Sequence, residues 1–358
     1  MRILFYFGHP SQYLFLKNSI SILKEIDISC DIIIKSKDVL EQLLIENKES
    51  YENILPEGRK SGKFGIITGL IKRDFRLFRS IKNRHYDLFI GTDPSLAHIG
   101  FIKRIPIITV LEDDIDVIPD LAHTTFPFTS LILTPCGCRT GQYEKKTIHY
   151  KGYMKLAYLH PNRFIKKAAI YKQPYFLIRI SKLDAYHDKN IYGFTVPLLK
   201  RIINLLDKIG SVYISSEGVT TEALKAYELK INPAEMHQVL SNAEMLISDS
   251  QSMTMEAAML GVPSIRFSDF AGRISVLEEL EHKYELTFGI AADSPDKLYY
   301  KLNELLSLPE LRETFERRRQ KLLEEKIDVT KFLVWFIENY PESTRIMKED
   351  PEYQERFK

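Results

Sequence analysis

Cysteine is scarce in this chain: Cys30, Cys136 and Cys138 are the three among 358 residues. An odd count cannot build a disulfide framework and predicts reduced thiols. The Cys136-Gly137-Cys138 step lacks a second Cys/His pair to complete a four-ligand zinc site and reads as loop, so no metal is expected. Long apolar runs are missing too. No stretch approaches the roughly 18 uninterrupted residues of a membrane span. The N-terminus, MRILFYFGHPSQYLFLKNS, breaks its apolar run with His-Pro-Ser-Gln and offers no small-residue cleavage site. That argues against a signal peptide and for a cytoplasmic protein. With 44% apolar and 27% charged residues the chain is neither disordered, collagen-like nor a coiled coil. Its length suits two domains, each burying its own core.

Excess charge is also lacking overall, at +2, but it is unevenly spread. Between Glu57 and Arg84 nine basic residues stand against Glu57 and Asp74, an excess of seven that leaves the remainder of the chain at five negative. Within it, residues 66–84 interleave Ile67, Leu70, Ile71, Leu77, Phe78 and Ile81 with cations. A basic amphipathic helix of this kind lies either on an anionic membrane surface or, as an ordinary surface helix, on the sheet. No recognition motif accompanies the charge, so nucleic acid is not expected as a partner.

Organisation along the chain is an alternation of strands and helices. RILFYF at 2–7 is a short apolar run ending at Gly8, as in a buried parallel strand. A helical pattern follows over 13–26, then CDIIIKS. Further strands are predicted at 87–91 (DLFIG), 106–111 (PIITVL) and 130–135 (SLILTP). LHPNRFIKKAAIYKQP, polar and proline-bracketed, reads as a connection between domains. Beyond it the alternation restarts with YFLIRIS, SVYISS, a short Leu229 to Asn232 step, MLISDS and PSIRF, and from about Asp296 the pattern is helical. Two βα arrays predict two doubly wound α/β domains, with ligands at the carboxyl ends of the strands.

The segment most informative about chemistry is MLISDSQSMTMEAAMLGVPSIR, 245–266. A strand ends at Asp249, Ser250-Gln251-Ser252 forms a polar turn, and a helix begins near Met253 with Glu256 in its first turn. Such a helix start, with serine hydroxyls beside it, can hold a diphosphate, and a carboxylate on the same face can accept two hydrogen bonds from a ribose. Equally, Ser250 can cap the helix and Glu256 complement its dipole.

Strand, Asp-Ser-x-Ser, then Glu-Ala-x-x-x-Gly-x-Pro resembles the nucleotide-sugar site in the second domain of GT-B fold enzymes, which include glycosyltransferases and non-hydrolysing UDP-N-acetylglucosamine 2-epimerases. The resemblance implies a diphosphate on Ser250, Gln251, Ser252, Met253 and Thr254 and a ribose on Glu256. FIGTDPSLAHIGFIKRIPIITVLEDDIDV is similar to the epimerase segment that places acid/base carboxylates at Asp93 and Glu112, with Asp120 a weaker third. Alternatively Asp93 caps a helix, and Glu112, Asp113, Asp114 and Asp116 form a solvated acidic turn. Gly8 and His9 end the first strand, where these enzymes often place the acceptor or a catalytic base; a helix cap fits as well. One departure from the epimerases is that Ser181 and Lys182 stand where they carry a histidine-arginine cluster; His187 follows six residues later, and Arg179 lies within the strand. Nearly the whole chain also resembles a prokaryotic group of the same superfamily, of undefined reaction, through GYMKLAYLHP, SKLDAYHD, ISSE and DFAGRISVLEELE. Lys230 falls where these enzymes grip the base through backbone, while Arg266 and Arg273 suit either phosphates or surface ion pairs.

The resemblance implies two Rossmann-like domains facing a cleft, 1–165 (acceptor and catalysis) and 174–330 (nucleotide-sugar), with a helical tail over 331–358 packing back on the first. It further implies a glycosyltransferase with a UDP-linked donor as substrate and no separate cofactor, acting on a lipid-linked or saccharide acceptor in envelope polysaccharide or glycolipid synthesis. A sugar-nucleotide epimerase and a non-catalytic nucleotide-sugar-binding protein are the alternatives. In either enzyme Asp93, Glu112, His9 and His187 are the candidate catalytic residues, and Arg179 and Ser181 extend the nucleotide-sugar site.

Overall fold

The computed structural model describes residues 1–35, 39–56, 63–181, 194–216 and 221–358, with only the helical backbone described for 63–67. The chain divides into two compact units, Met1–Tyr158 with Lys326–Lys358, and Leu159–Glu325.

The first unit is built on seven parallel strands, β1 (Arg2–Phe7), β2 (Ser29–Lys35), β3 (Glu52–Leu55), β4 (Leu88–Gly91), β5 (Ile107–Val110), β6 (Leu131–Pro135) and β7 (Thr147–Tyr150), in the order β3-β2-β1-β4-β5-β6-β7. The order reverses direction between β2-β1 and β4, so the carboxyl ends of β1 and β4 flank a switch point where open α/β sheets accept ligands. Residues Ile3 through Phe7 are fully buried, as a central strand covered on both faces requires. Between β1 and β2 the helix starts at Pro10, three residues before its apolar periodicity begins, because His9 caps it and Pro10 has its fixed φ in the first turn. β3 and β7 were not expected from the sequence; both lie at the sheet edges, and ENIL and TIHY lack the continuous apolar run that marks the equally short β4 and β5.

The second unit has five parallel strands, β8 (Tyr175–Ile180), β9 (Ser211–Ser216), β10 (Met245–Ser248), β11 (Ser264–Phe267) and β12 (Phe288–Ile290), in the order β12-β11-β10-β8-β9. The Leu229 to Asn232 step contributes no strand: Leu229 N–H donates to Ile214 O beside an isolated bridge from Glu228 to Ile214. The proline-bracketed connection is docked on this unit, not suspended between two. Lys167 N–H donates to Gln238 Oε1 at 2.9 Å, and Gln238 and Asn242 donate side-chain amides to Ile165 O and Lys167 O.

The chain then returns to the first unit. The helix Val329–Glu338 buries Val329, Phe332, Leu333, Phe336 and Ile337 against that unit, where the ring of Phe332 meets Tyr150 at 5.9 Å and Thr330 donates to Ala157 O.

Candidate functional site

In the second unit the ends of β8 and β10 lie side by side, with Ser248 paired to Arg179. Ser181 N–H donates to Asp249 Oδ1 at 2.8 Å, tying the turn after β8 to the turn after β10. The helix that follows runs Gln251–Met259 and is capped by Ser250, whose Oγ accepts from Met253 N–H. Gln251 and Ser252 are therefore its first helical residues and not a separate turn, and Glu256 sits in the second turn. The capping serine lets the helix begin two residues earlier than the apolar pattern suggested. Ser250 N–H is held by Ser248 Oγ at 2.8 Å, and Thr254, fully buried, returns its hydroxyl to Ser250 O. Glu256 does not serve its own helix dipole. It is 6% exposed and its carboxylate lies 3.3 Å from His237 Nε2, on a neighbouring helix. Arg179 donates to Ser215 Oγ at 2.7 Å at the end of β9.

Arg266 departs from both roles suited to it, phosphate ligand or surface ion pair. It is only 1% exposed and lies 3.8 Å from Glu278, beside Glu281. Burial pushes the Glu281 carboxyl up, against the pull of the Gly289 N–H. Arg273 lies over the Phe270 ring. His187 and Lys182 fall outside the described residues.

In the first unit four strand ends carry the polar residues. His9 is a cap, its Nδ1 accepting from Ser11 N–H at 3.2 Å. Asp93 is also a cap, accepting from Ser95 N–H at 2.9 Å, and at the same time receives Lys35 Nζ at 2.7 Å and faces Arg73 Nε at 3.9 Å. Burial alone would raise its pKa; Lys35, Arg73 and the Ser95 N–H together hold the carboxyl below the usual range. Lys35 reaches Asp93 from β2 by passing over Gly8, where any Cβ would stand 2.4 Å from its Cε.

Glu112, after β5, is buried and ion-paired with Lys155, while its other oxygen accepts from Met154 N–H at 3.1 Å. The acidic turn is thus not a solvated one: Asp114 is completely buried and accepts from Arg139 N–H at 2.8 Å. Among the described residues no cation forms an ion pair with partly buried Asp113. Desolvation, reinforced by Glu112 and opposed by Lys155, pushes its carboxyl up to about 6. Asp120 is exposed in the first turn of the helix Pro119–Thr125. Cys138 is buried and its thiol, raised by desolvation, donates to Glu112 O. Among the described residues no group of three or more His, Cys, Asp or Glu could hold a metal ion.

The sequence offered Asp93, Glu112 and the Ser250 to Glu256 segment as candidates, and the structure shows which side chains surround them. Sequence reasoning gave no role there to Lys35, Arg73, Lys155 or His237, and read Asp113 only as part of a solvated acidic turn. The one available signal was Lys155, a lone cation inside the apolar stretch GYMKLAYL.

Solved structures of nucleotide-sugar enzymes match 90–95% of the chain. A UDP-GlcNAc 2-epimerase from Neisseria meningitidis bound to UDP-GlcNAc matches with a TM-score of 0.67 and 14% identity, over 94% of this chain and 99% of that one. A Methanocaldococcus jannaschii UDP-GlcNAc 2-epimerase in complex with UDP-GlcNAc and UDP matches at 0.63 and 17%, over 90% and 100%. A glycosyltransferase from Streptomyces sp. SF2575 matches at 0.59 and 12%, over 95% and 100%. The chain has the GT-B fold. At these identities the likeness concerns the fold of this GT-B chain and not its reaction. No protein-family model matches the chain, and no curated protein matches it in sequence.

Proposed function

We propose that this GT-B chain is a glycosyltransferase that takes a sugar from a nucleoside diphosphate donor, UDP-linked, and passes it to a saccharide or lipid-linked acceptor in envelope polysaccharide or glycolipid synthesis. The observation that carries the proposal is the arrangement in the second unit, where a serine-capped helix start stands one turn from a buried glutamate fixed by histidine. The first N–H groups of the helix and the Ser250 and Ser252 hydroxyls suit the diphosphate, whose charge grows as the bond from the anomeric carbon to phosphate oxygen breaks. Glu256, oriented by His237, suits two ribose hydroxyls. The acceptor oxygen forms the new bond to the anomeric carbon as the nucleoside diphosphate leaves with the electrons of the old one, and the acceptor's proton is lost to a base or to solvent. Solved structures of the same fold include, by their own descriptions, proteins with UDP-GlcNAc or UDP bound and glycosyltransferases.

Transfer is favoured over epimerisation because the two carboxylates suited to proton shuttling, Asp93 and Glu112, are each engaged by a lysine. An ion-paired carboxylate is a poor acid. Asp113, with its raised pKa, keeps the epimerase as the second reading.

Calorimetry with UDP and UDP-sugars tests the site. Binding in the micromolar to low millimolar range is expected, and Glu256→Ala should weaken it by about tenfold or more, the loss of hydrogen bonds to a charged group. If no UDP compound binds at millimolar concentration, or the substitution changes nothing, the site is not there. Deuterium entering the sugar C2 position from solvent would select the epimerase; a transferase leaves that position untouched.

A further inference from the structure

The helix Lys63–Ser80 carries apolar side chains on two faces. Leu77, and Ile81 just beyond the helix, point inward and are fully buried with Leu4, Tyr86, Phe89 and Leu96. Ile71 and Phe75, each 63% exposed, and Phe78 at 37% face outward. Packing on the sheet needs only the first face.

The neighbouring helix, Pro94–Lys103, lies alongside. His98 Nδ1 is 2.9 Å from Asp74 Oδ2, and Lys103 Nζ stands 5.3 Å over the Phe78 ring. Its last turn adds Phe101 and Ile102, 62% and 65% exposed. Isolated exposed hydrophobics are ordinary; five on the outer sides of two adjacent helices are not. Cations border them: Lys72, Arg79 and Lys82 along the first helix and just beyond it, Lys103 and Arg104 at the end of the second. Asp74 is the single acidic residue between Lys63 and Arg84, and it is bound to His98.

We propose that this face docks on an anionic lipid surface. Phe75, Phe78, Phe101, Ile71 and Ile102 enter the headgroup boundary while the cations around them meet lipid phosphates. Aromatic and aliphatic tips bordered by charge of one sign match a bilayer interface, which is apolar in depth and negative at its surface. The sequence pattern of residues 66–84 left the direction of this helix open. Only the fold shows that it packs on the sheet and still presents a second apolar face. The proposal concerns the first unit alone and stands whether or not the nucleotide-sugar reading does.

Flotation with vesicles of phosphatidylcholine, with and without phosphatidylglycerol, tests it. Binding is expected only to the anionic vesicles, and should fade as salt rises from about 0.01 M to 0.15 M and the Debye length falls from about 30 Å to about 8 Å. The combined variant Lys72→Glu, Arg79→Glu, Lys82→Glu should lower partitioning about a hundredfold, and Phe75→Ser with Phe101→Ser at least tenfold. Arg73 and Arg76 are left intact, because Arg73 is buried beside Asp93 and Arg76 donates to Ile54 O. Unchanged circular dichroism and thermal midpoint show that the variants fold, and unchanged nucleotide calorimetry separates this outcome from loss of the other site. The proposal is overturned by wild-type protein that stays off anionic vesicles at low salt, or by binding indifferent to both variants. Self-association removed by the phenylalanine substitutions, without vesicle binding, overturns it as well.

Discussion

Asp93 and Asp113 follow adjacent parallel strands, and their surroundings push them in opposite directions. Asp93 gains two cations and a backbone N–H. Asp113 gains burial and two acidic neighbours, and its carboxyl rises to about 6. A carboxyl raised on folding adds stability while protonated and loses it as the pH climbs from about 4, the unfolded value, to about 6. Asp113→Asn should therefore raise stability at pH 7.5 by about 1–2 kcal/mol, discounted for its partial exposure. It should also flatten the fall in stability between those pH values. Urea unfolding at a series of pH values measures this, and a variant with the same pH profile as wild type would refute the assignment. Both aspartates were visible in the sequence as polar residues at strand ends. Their charge states were not, since Lys35 lies 58 residues from Asp93 in the chain and Lys155 43 residues from Glu112.

At the scale of elements, strand ends and helix starts are set by single residues. Gly91 ends β4 opposite Tyr6 of β1, and a Cβ there would lie 2.7 Å from Tyr6 O and 2.9 Å from Leu96 Cδ2. Tyr6 O belongs to the central strand backbone and cannot retreat. Gly91→Ala is expected to cost about 1–3 kcal/mol, read as a drop in the urea midpoint at unchanged slope. A midpoint within error of wild type would mean that the sheet yields there. The apolar strands and two of the helix caps were legible from apolar runs and from Ser250 and Asp93, because caps and strands are local physics; the helix start at Pro10 was not, since the apolar pattern begins at 13. β3, β7 and β12 were not. ENIL, TIHY and FGI lack the continuous apolar run that marked the equally short β4 and β5, and pairing with a neighbour is what makes them strands.

For the whole molecule, the largest dependence is that of the first unit on the last 33 residues, Lys326–Lys358. Ile327 N–H donates to Lys151 O, Lys151 N–H to Gln354 Oε1, and Val329 packs on Gly152 so closely that a Cβ would stand 2.4 Å from its Cγ2. Phe332, Leu333, Phe336 and Ile337 are fully or almost fully buried. At about 1.5–3 kcal/mol for each such side chain, their loss of about 6–12 kcal/mol is comparable to a typical domain stability of about 5–15 kcal/mol. A chain ending at Glu325 should lose the cooperative unfolding of the first unit and expose it to protease, while the second unit keeps its own transition. Two intact transitions in that truncated chain would show the tail to be an accessory.

The sequence by itself determined the fold class and the chain positions of the candidate donor site, since apolar alternation, capping residues and the Ser250 to Glu256 spacing are local features. It also held the basic stretch in plain view. Tertiary structure decided what each of those residues can do. Glu256 meets His237, Asp93 meets Lys35 and Arg73, and Glu112 meets Lys155, all through contacts between segments far apart in the chain, while Phe75 and Phe101 are left exposed on adjacent helices. Burial and charge pairing across such distances set protonation and exposure, and neither is encoded in the neighbours a residue has along the sequence.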